Sequence, residues 1–334
     1  MEDKVLLAHG SGGRLSHELI EKHCMPYLGN TILNRMDDSA ALELNGRIAF
    51  TTDSYVIKPL FFPGGDIGRL SVCGTVNDLA TSGAMARYLS LSLIIEEGFS
   101  VFDLERIMSS VSETAKEAGV LVITGDTKVV DHGSADGLFI NTSGIGIIPE
   151  GIDISGGNAK EGDRVIVTGT IGDHGIAVMA QREGLKFSIP VESDCAPLNR
   201  LVSEILDVSS DVRCMRDPTR GGLATTLNEL AAQSGVGIQI YEDKIPVKDA
   251  VRGMCEILGF DPLYIANEGK MIIIAAPEET DRIIACLHRN KYGKDAAVIG
   301  EVTSQHKGRV ALRTRLGSSR IVDMLTGDLL PRIC

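Results

Sequence analysis

The chain has 334 residues, 43% hydrophobic and 23% charged, with 37 glycines and no tryptophan. That is the composition of an ordinary globular protein of about two domains. A net charge of −12 excludes nucleic acid as the main partner, because phosphate backbones call for clustered Lys and Arg.

The N-terminal residues are too few and too acidic before the first polar break for a signal peptide. Gly10-Ser-Gly-Gly follows. It reads as a flexible leader rather than a phosphate loop, since no strand precedes it as a nucleotide fingerprint requires. A helix is expected over 15–27, then extended segments at 31–35, 41–44 and 47–52, the last running into Asp53. The apolar positions Ile67, Leu70, Val72, Val76 and Leu79 approximate one stripe of a helix over 66–82, with Asn77 and Asp78 beside it. Alternation predicts a strand over 87–96. A helix over 101–118 and strands over 120–124 and 138–148 complete the first half. The Gly- and Pro-rich stretch 149–163 marks a domain boundary. The second half is expected to carry strands at 164–168, 237–241, 271–276, 296–302 and 309–313. Helices fall near 172–183, 197–206, up to 234, 247–258 and 278–289. Strands and helices mix in both halves, so the fold class is α/β or α+β. No apolar run approaches the ~18 residues of a membrane span.

The chain ends Leu-Leu-Pro-Arg-Ile-Cys. The tail from 323 holds Gly327 and Pro331 and no run that would sustain a long helix. A thiol there can be presented to one site and carried to another, although taken alone Cys334 reads as incidental, because chain ends tolerate change. Its position excludes prenylation, which needs Cys fourth from the end. The seven cysteines include no C-x-x-C pair, which argues against zinc, a redox motif and a disulfide framework. A reducing cytoplasm is the expected location, with Cys334 a free thiol.

Four Asp-bearing stretches carry the strongest chemical signal: Asp37-Asp38-Ser39, Thr52-Asp53-Ser54, Asn77-Asp78-Leu79 and Gly125-Asp126-Thr127-Lys128. Each alone is a turn or cap residue. Asp53 and Asp126 follow apolar strands, where carboxylates point into a common crevice, and Asp78 interrupts an apolar helix; together the four are candidates to hold Mg²⁺, which takes one or two carboxylates and completes its shell with water and phosphate oxygens. There is no P-loop, dinucleotide fingerprint or kinase signature. In Asp217-Pro-Thr-Arg-Gly-Gly, Asp217 suits a helix N-cap and Pro218 the first turn, while the paired glycines suggest close approach to a ligand or another element. Glu268 and Lys270 flank a glycine before an apolar strand. They are an edge ion pair or, alternatively, Glu268 is a general base facing a crevice.

His9-Gly-Ser-Gly-Gly, Thr52-Asp-Ser-Tyr-Val-Ile, Gly74-Thr-Val-Asn-Asp-Leu-Ala, Thr124-Gly-Asp-Thr-Lys-Val-Val, Asp217-Pro-Thr-Arg-Gly-Gly, Asn267-Glu-Gly-Lys and Pro331-Arg-Ile-Cys together resemble the HypE family of hydrogenase maturation proteins. These belong to the aminoimidazole ribonucleotide synthetase-like (PurM-like) superfamily. The resemblance runs the length of the chain. It implies an α+β, two-domain fold: an N-terminal ATP-binding domain over 1–150 whose strands form a barrel across a homodimer, a C-terminal domain over 151–322, and a mobile tail over 323–334. It implies Asp38, Asp53, Asp78 and Asp126 as Mg²⁺–ATP ligands, with Asn77 and Thr127 beside the nucleotide. Glu268 and Lys128 match proposed acid/base residues, and Cys334 the modified cysteine. The implied reaction is ATP-dependent dehydration of a carbamoyl group on Cys334 to a thiocyanate, the source of a cyanide ligand for nickel–iron hydrogenase. The implied partners are the carbamoyltransferase HypF as donor and a HypC–HypD complex as acceptor. The alternative is selenophosphate synthetase of the same superfamily, disfavoured because no Cys lies in the N-terminal Gly-rich loop.

Overall fold

A computed structural model describes residues 4–10, 14–37, 39–184, 190–325 and 333. Asp38 and Cys334, both sequence candidates, lie outside the described residues. In the first unit α1 (Arg14–His23) and α2 (Met25–Leu28) precede β1 (Arg47–Tyr55), then the short hairpin β2 (Phe61–Phe62) and β3 (Gly65–Asp66). Next come α3 (Ile67–Thr81), β4 (Met85–Glu96), α4 (Val101–Ala118), β5 (Leu121–Val130) and β6 (Leu138–Ile148). The second unit contains β7 (Arg164–Val167), α5 (Asp173–Arg182), α6 (Asn199–Val208), β8 (Val212–Arg216), α7 (Gly222–Ser234) and β9 (Gly237–Tyr241). It continues through α8 (Asp249–Leu258), β10 (Ile272–Ala275), α9 (Thr280–Leu287), β11 (Ala297–Thr303), β12 (Val310–Arg313) and β13 (Ser319–Val322). The sheets are ordered β1-β6-β4-β5 and β13-β12-β9-β11-β7-β10-β8. Among the described residues no helix is long and apolar enough to cross a membrane.

Burial alternates along β4 and β6, so one face of the first sheet packs against helices and the other is open. Helix α3 covers the packed face. Asp66 caps it, accepting from Gly68 N at 2.7 Å and Arg69 N at 3.1 Å, the usual satisfaction of a first-turn donor. The expected single apolar stripe proves too narrow. Ser71, Thr75 and Asn77 are buried as well, because α3 also packs against α4, α6 and β8. A helix enclosed on this many sides ties the two units together.

Three expectations change. Leu33–Arg35 is a turn of 3₁₀ helix and residues 41–44 join no strand. β1 continues to Tyr55 and β5 to Val130, so Asp53 and Asp126 sit within strands rather than past their ends. The ladder continues to hold them there: Asp53 is registered with Thr142 and Asp126 with Ser92. Asp217 does not cap α7, whose N-cap is Gly221.

Candidate functional site

Asp53 lies on the packed face of β1 beneath α3. Tyr55 Oη donates to its Oδ2 at 3.4 Å, and Thr51 Oγ1 donates to Asp78 Oδ2 at 2.9 Å. Gly74 lets Tyr55 pass, because a Cβ there would stand 2.3 Å from the phenolic oxygen. Asp78 is pushed up to about 6 by burial and by the neighbouring Asp53 charge. Asp217, approaching from the second unit, is pushed up to about 7 by burial and by Asp78. Crowded carboxyls of this kind repel one another unless a cation or proton intervenes. Among the described residues no group of three or more His, Cys, Asp or Glu side chains is arranged to hold a metal by itself. Asp53 and Asp78 nevertheless fit Mg²⁺ in its usual mode, with one or two carboxylates and the remaining positions left to water and phosphate.

Across the seam, Glu268 is buried and its Oε1 has no hydrogen-bond partner. Burial, then the nearby Cys195, Asp217 and Asp194, hold its carboxyl well above the usual range. Its backbone is fixed from both sides. The amide N donates to Asp194 Oδ1 at 3.2 Å, and Asn77 Nδ2 donates to the carbonyl at 3.3 Å. Lys270 pairs with Asp194 at 3.2 Å, and no Glu268–Lys270 edge pair forms among the described residues. Gly269 is required because a Cβ there would lie 1.7 Å from the Asp194 carbonyl oxygen.

Helix α3 grips the second unit on the same face through Arg69 and Asn77. Arg69 Nε donates to Cys195 O at 2.9 Å, while Asn77 Nδ2 donates to Ala196 O at 3.1 Å and its Oδ1 accepts from Leu198 N at 2.7 Å. Asn77 is thus buried with its amide committed to protein, and it bears on the site through Glu268. Asn267 performs the matching task behind Glu268. Its Nδ2 donates to Pro218 O at 3.1 Å and its Oδ1 accepts from Gly172 N at 2.7 Å. Of the paired glycines, Gly222 approaches another element closely: a Cβ there would stand 2.6 Å from Ile265 O.

Residue 333 enters this seam. Ile333 is 7% exposed and belongs to the same apolar cluster as Phe62, Val178, Cys195 and Ala266. Its carbonyl oxygen is 2.5 Å from His174 Nε2, and His174 Nδ1 is 2.8 Å from Ser193 Oγ. Burial pulls the His174 pKa down, which favours the neutral ring.

Asp126 and Lys128 lie elsewhere. Their register with Ser92 and Ile94 puts both on the open face, opposite Asp53 and Asp78. β1 and β5 are the two edges of a four-stranded sheet, roughly 14 Å apart at the usual strand spacing. Lys128 is exposed, so one copy of the chain does not supply the burial that a lysine base requires. Near β5 a cavity of about 490 Å³ is lined by Leu28, Leu33, Leu91, Met108, Asp126 and Thr127, within the size range of small-ligand sites.

Residues 36–148 match the family of AIR synthase related proteins, N-terminal domain, and residues 160–313 its C-terminal domain. The chain is 50% identical over 331 residues to the carbamoyl dehydratase HypE of Azotobacter vinelandii, covering 99% of this chain and 97% of that one. A crystal structure of HypE in complex with ATP superposes with a TM-score of 0.96 at 48% identity, covering 98% and 99% of the two chains. A HypE–HypF complex superposes at 0.82 with 48% identity, covering 94% and 100%. The chain belongs to the HypE family.

For this HypE-family chain the structure brings Asp53, Asp78 and Glu268 toward one seam and leaves Asp126, Thr127 and Lys128 at the far sheet edge. It adds Asp217, whose sequence context is fully consistent with a cap, and Arg69, His174, Ser193 and Asp194, which no sequence pattern singled out. A chemical hint was present only for Asp217, in the polar turn between strand and helix.

Proposed function

We propose that this chain is an ATP- and Mg²⁺-dependent carbamoyl dehydratase acting on a carbamoyl group carried by its own Cys334. The observation that carries the reading is the meeting of two features on one segment. Asp194 receives the backbone of the unpaired acid Glu268, and its neighbour Ser193 backs the histidine that holds Ile333. A base and the chain immediately before the reactive cysteine are therefore anchored to adjacent residues.

The carboxamide oxygen is a poor leaving group. Accepting the γ-phosphoryl group of ATP converts it to phosphate, which departs as the nitrogen loses its protons and the carbon–nitrogen triple bond forms on sulfur. Glu268 suits the proton-accepting role, because a carboxyl whose proton affinity is raised by burial is a better base once ionised. Asp53 and Asp78, with Asp217 behind them, are the candidates to hold Mg²⁺, which when bound neutralises phosphate charge. The outer-face Lys128 suits a cation for phosphate. The cavity near Asp126 and Thr127 suits a nucleoside.

Asp126 and Lys128 contribute through a homodimer. A second copy laid on the open sheet face, forming a barrel with it, covers its apolar band and shares those residues between protomers. HypF is the carbamoyl donor and a HypC–HypD complex the acceptor. The tail turns inward for dehydration and outward for transfer, in the cytoplasm.

The test is mass spectrometry of the C-terminal peptide after incubation with HypF, carbamoyl phosphate and ATP. A carbamoyl adduct on Cys334 that then loses water is expected. ATP-dependent modification elsewhere, with Cys334 untouched, overturns the proposal.

A further inference from the structure

His174 is the second residue of α5, fully buried, with both ring nitrogens engaged. A satisfied core histidine is the ordinary explanation for such a ring. Its partners argue for more. One is Ser193, itself tied across the seam by its backbone N donating to Pro63 O at 2.8 Å. The other is the main-chain carbonyl of residue 333. Ile333 O can only accept, so Nε2 carries the hydrogen and donates to it. In the neutral ring Nδ1 is then the acceptor, and Ser193 Oγ, which also accepts from Cys195 N at 3.1 Å, donates its hydroxyl hydrogen to it. The ring edge packs on Phe62, with centroids 5.4 Å apart at 89°, which removes rotational freedom from the imidazole.

We infer that His174, oriented by Ser193 and Phe62, is a latch that reads the backbone of the penultimate residue and sets the register of the chain end against Glu268. It is a positioning residue for the reaction proposed above and rests on that reading. The latch recognises a main-chain carbonyl and an apolar side chain, so register is counted from residue 333 and not from the segment before it. Without residue 333 seated, Nε2–H has no acceptor at a fully buried position, which favours the seated chain end. A single neutral hydrogen bond is modest in net worth, so the tail can still leave.

Two measurements on the full chain test this. The first is the rate at which carboxypeptidase removes Cys334, a readout independent of catalysis. His174→Phe keeps the shape and removes the donor, and about fivefold faster trimming is expected from losing one buried hydrogen bond. His174→Gln, whose side-chain amide reaches the same region, is expected to restore protection in part. Ile333→Ala is expected to trim faster with His174 intact. The second is single-turnover dehydration of carbamoylated protein. An alanine inserted between Gly327 and Asp328 is expected to leave the rate near that of the parent. An alanine inserted between Ile333 and Cys334 lowers it by about a hundredfold, the usual scale for a misplaced reacting group. Equal trimming of the parent and His174→Phe, or equal rates for the two insertions, overturns the latch. If the parent forms no thiocyanate, the proposed reaction fails while the trimming result still decides the latch.

Discussion

Asn77 Nδ2 donates to the backbone carbonyl of Glu268 at 3.3 Å, across the boundary between the two units. The same amide bonds Ala196 and Leu198, so one α3 side chain sets how the second unit's acid faces the first unit's carboxyls. Asn77→Ala leaves buried partners unpaired, and a loss of about 2–4 kcal/mol is expected. Urea unfolding measures it. Dehydration is expected to fall further than the affinity for ATP, because the Asn77 amide is committed to Ala196, Leu198 and the Glu268 carbonyl and so positions Glu268. A variant as stable as the parent removes Asn77 from the seam.

Glu268→Gln tests the base directly. The amide keeps the size and removes the proton acceptor, so dehydration is expected to fall by about 10²–10⁴-fold, the usual worth of a general base. Stability moves the other way. Burial raises the folded-state pKa of Glu268. The wild-type contribution is therefore fully present below the unfolded pKa and is lost as pH rises toward the folded one. The glutamine variant lacks that loss, so its melting temperature is expected to exceed wild type increasingly as pH rises above the usual carboxylate range. A pH-independent difference contradicts the assigned proton affinity.

What the sequence disclosed, and what it withheld, follows from the range of the interactions. β6 was readable to the residue, since the period-2 burial of Leu138–Ile148 is a local property of a sheet with one covered face. The carboxyls were found as residue types beside Gly, Ser, Thr and Asn. Their facing was not, because it depends on how far β1 and β5 continue, and the ladder with Thr142 and Ser92 decides that. Asp217 has the local chemistry of a cap, and only the approach of the second unit to Asp78 gives it another task. Arg69, His174 and Ser193 have partners 126, 159 and 19 residues away, and no window of sequence contains such pairings.

Asp217→Asn separates the carboxyl cluster from a structural cap. Asp217 is raised to about 7, so its ionisation disfavours the folded state. The penalty is absent below the unfolded pKa, grows as pH rises, and is complete above about pH 7. In metal-free protein the asparagine variant is expected to be more stable at about pH 8 by on the order of 1–2 kcal/mol, after discounting for solvent screening. The two proteins converge near about pH 4. Urea midpoints across that range check the prediction. The same variant is expected to need more Mg²⁺ for ATP turnover. Lower stability at every pH returns Asp217 to a purely structural role.

Gly269→Ala asks whether the backbone at Glu268 tolerates any displacement. The added Cβ would meet Asp194 O at 1.7 Å and Asp194 C at 2.7 Å, both main-chain atoms that no rotamer change can move. The strand beyond is buried from Met271 to Ala275, so the strain falls on residues 193–195. A loss of about 3 kcal/mol is expected by denaturant unfolding. The Asp194–Lys270 pair is expected to break with it.

The open sheet face gives the last prediction. Phe50 is 68% exposed, and Ile48, Met85, Ile94 and Leu121 on the same sheet are exposed with it. Apolar side chains spread over three strands of one face form a patch of the kind that marks an interface. Asp126 and Lys128 stand on that face through their register with Ser92 and Ile94, so a partner copy covering the patch also encloses them. Phe50→Asp places a charge in the covered centre and is expected to shift the chain from dimer to monomer, read by analytical ultracentrifugation. It is expected to depress ATP turnover, although Phe50 lies on the side of the sheet opposite Asp53 and Asp78. Turnover should recover at high protein concentration if residual dimer is the active species. A monomer with full activity shows that Asp126 and Lys128 act without a second copy, and a parent chain that is monomeric removes the shared site altogether.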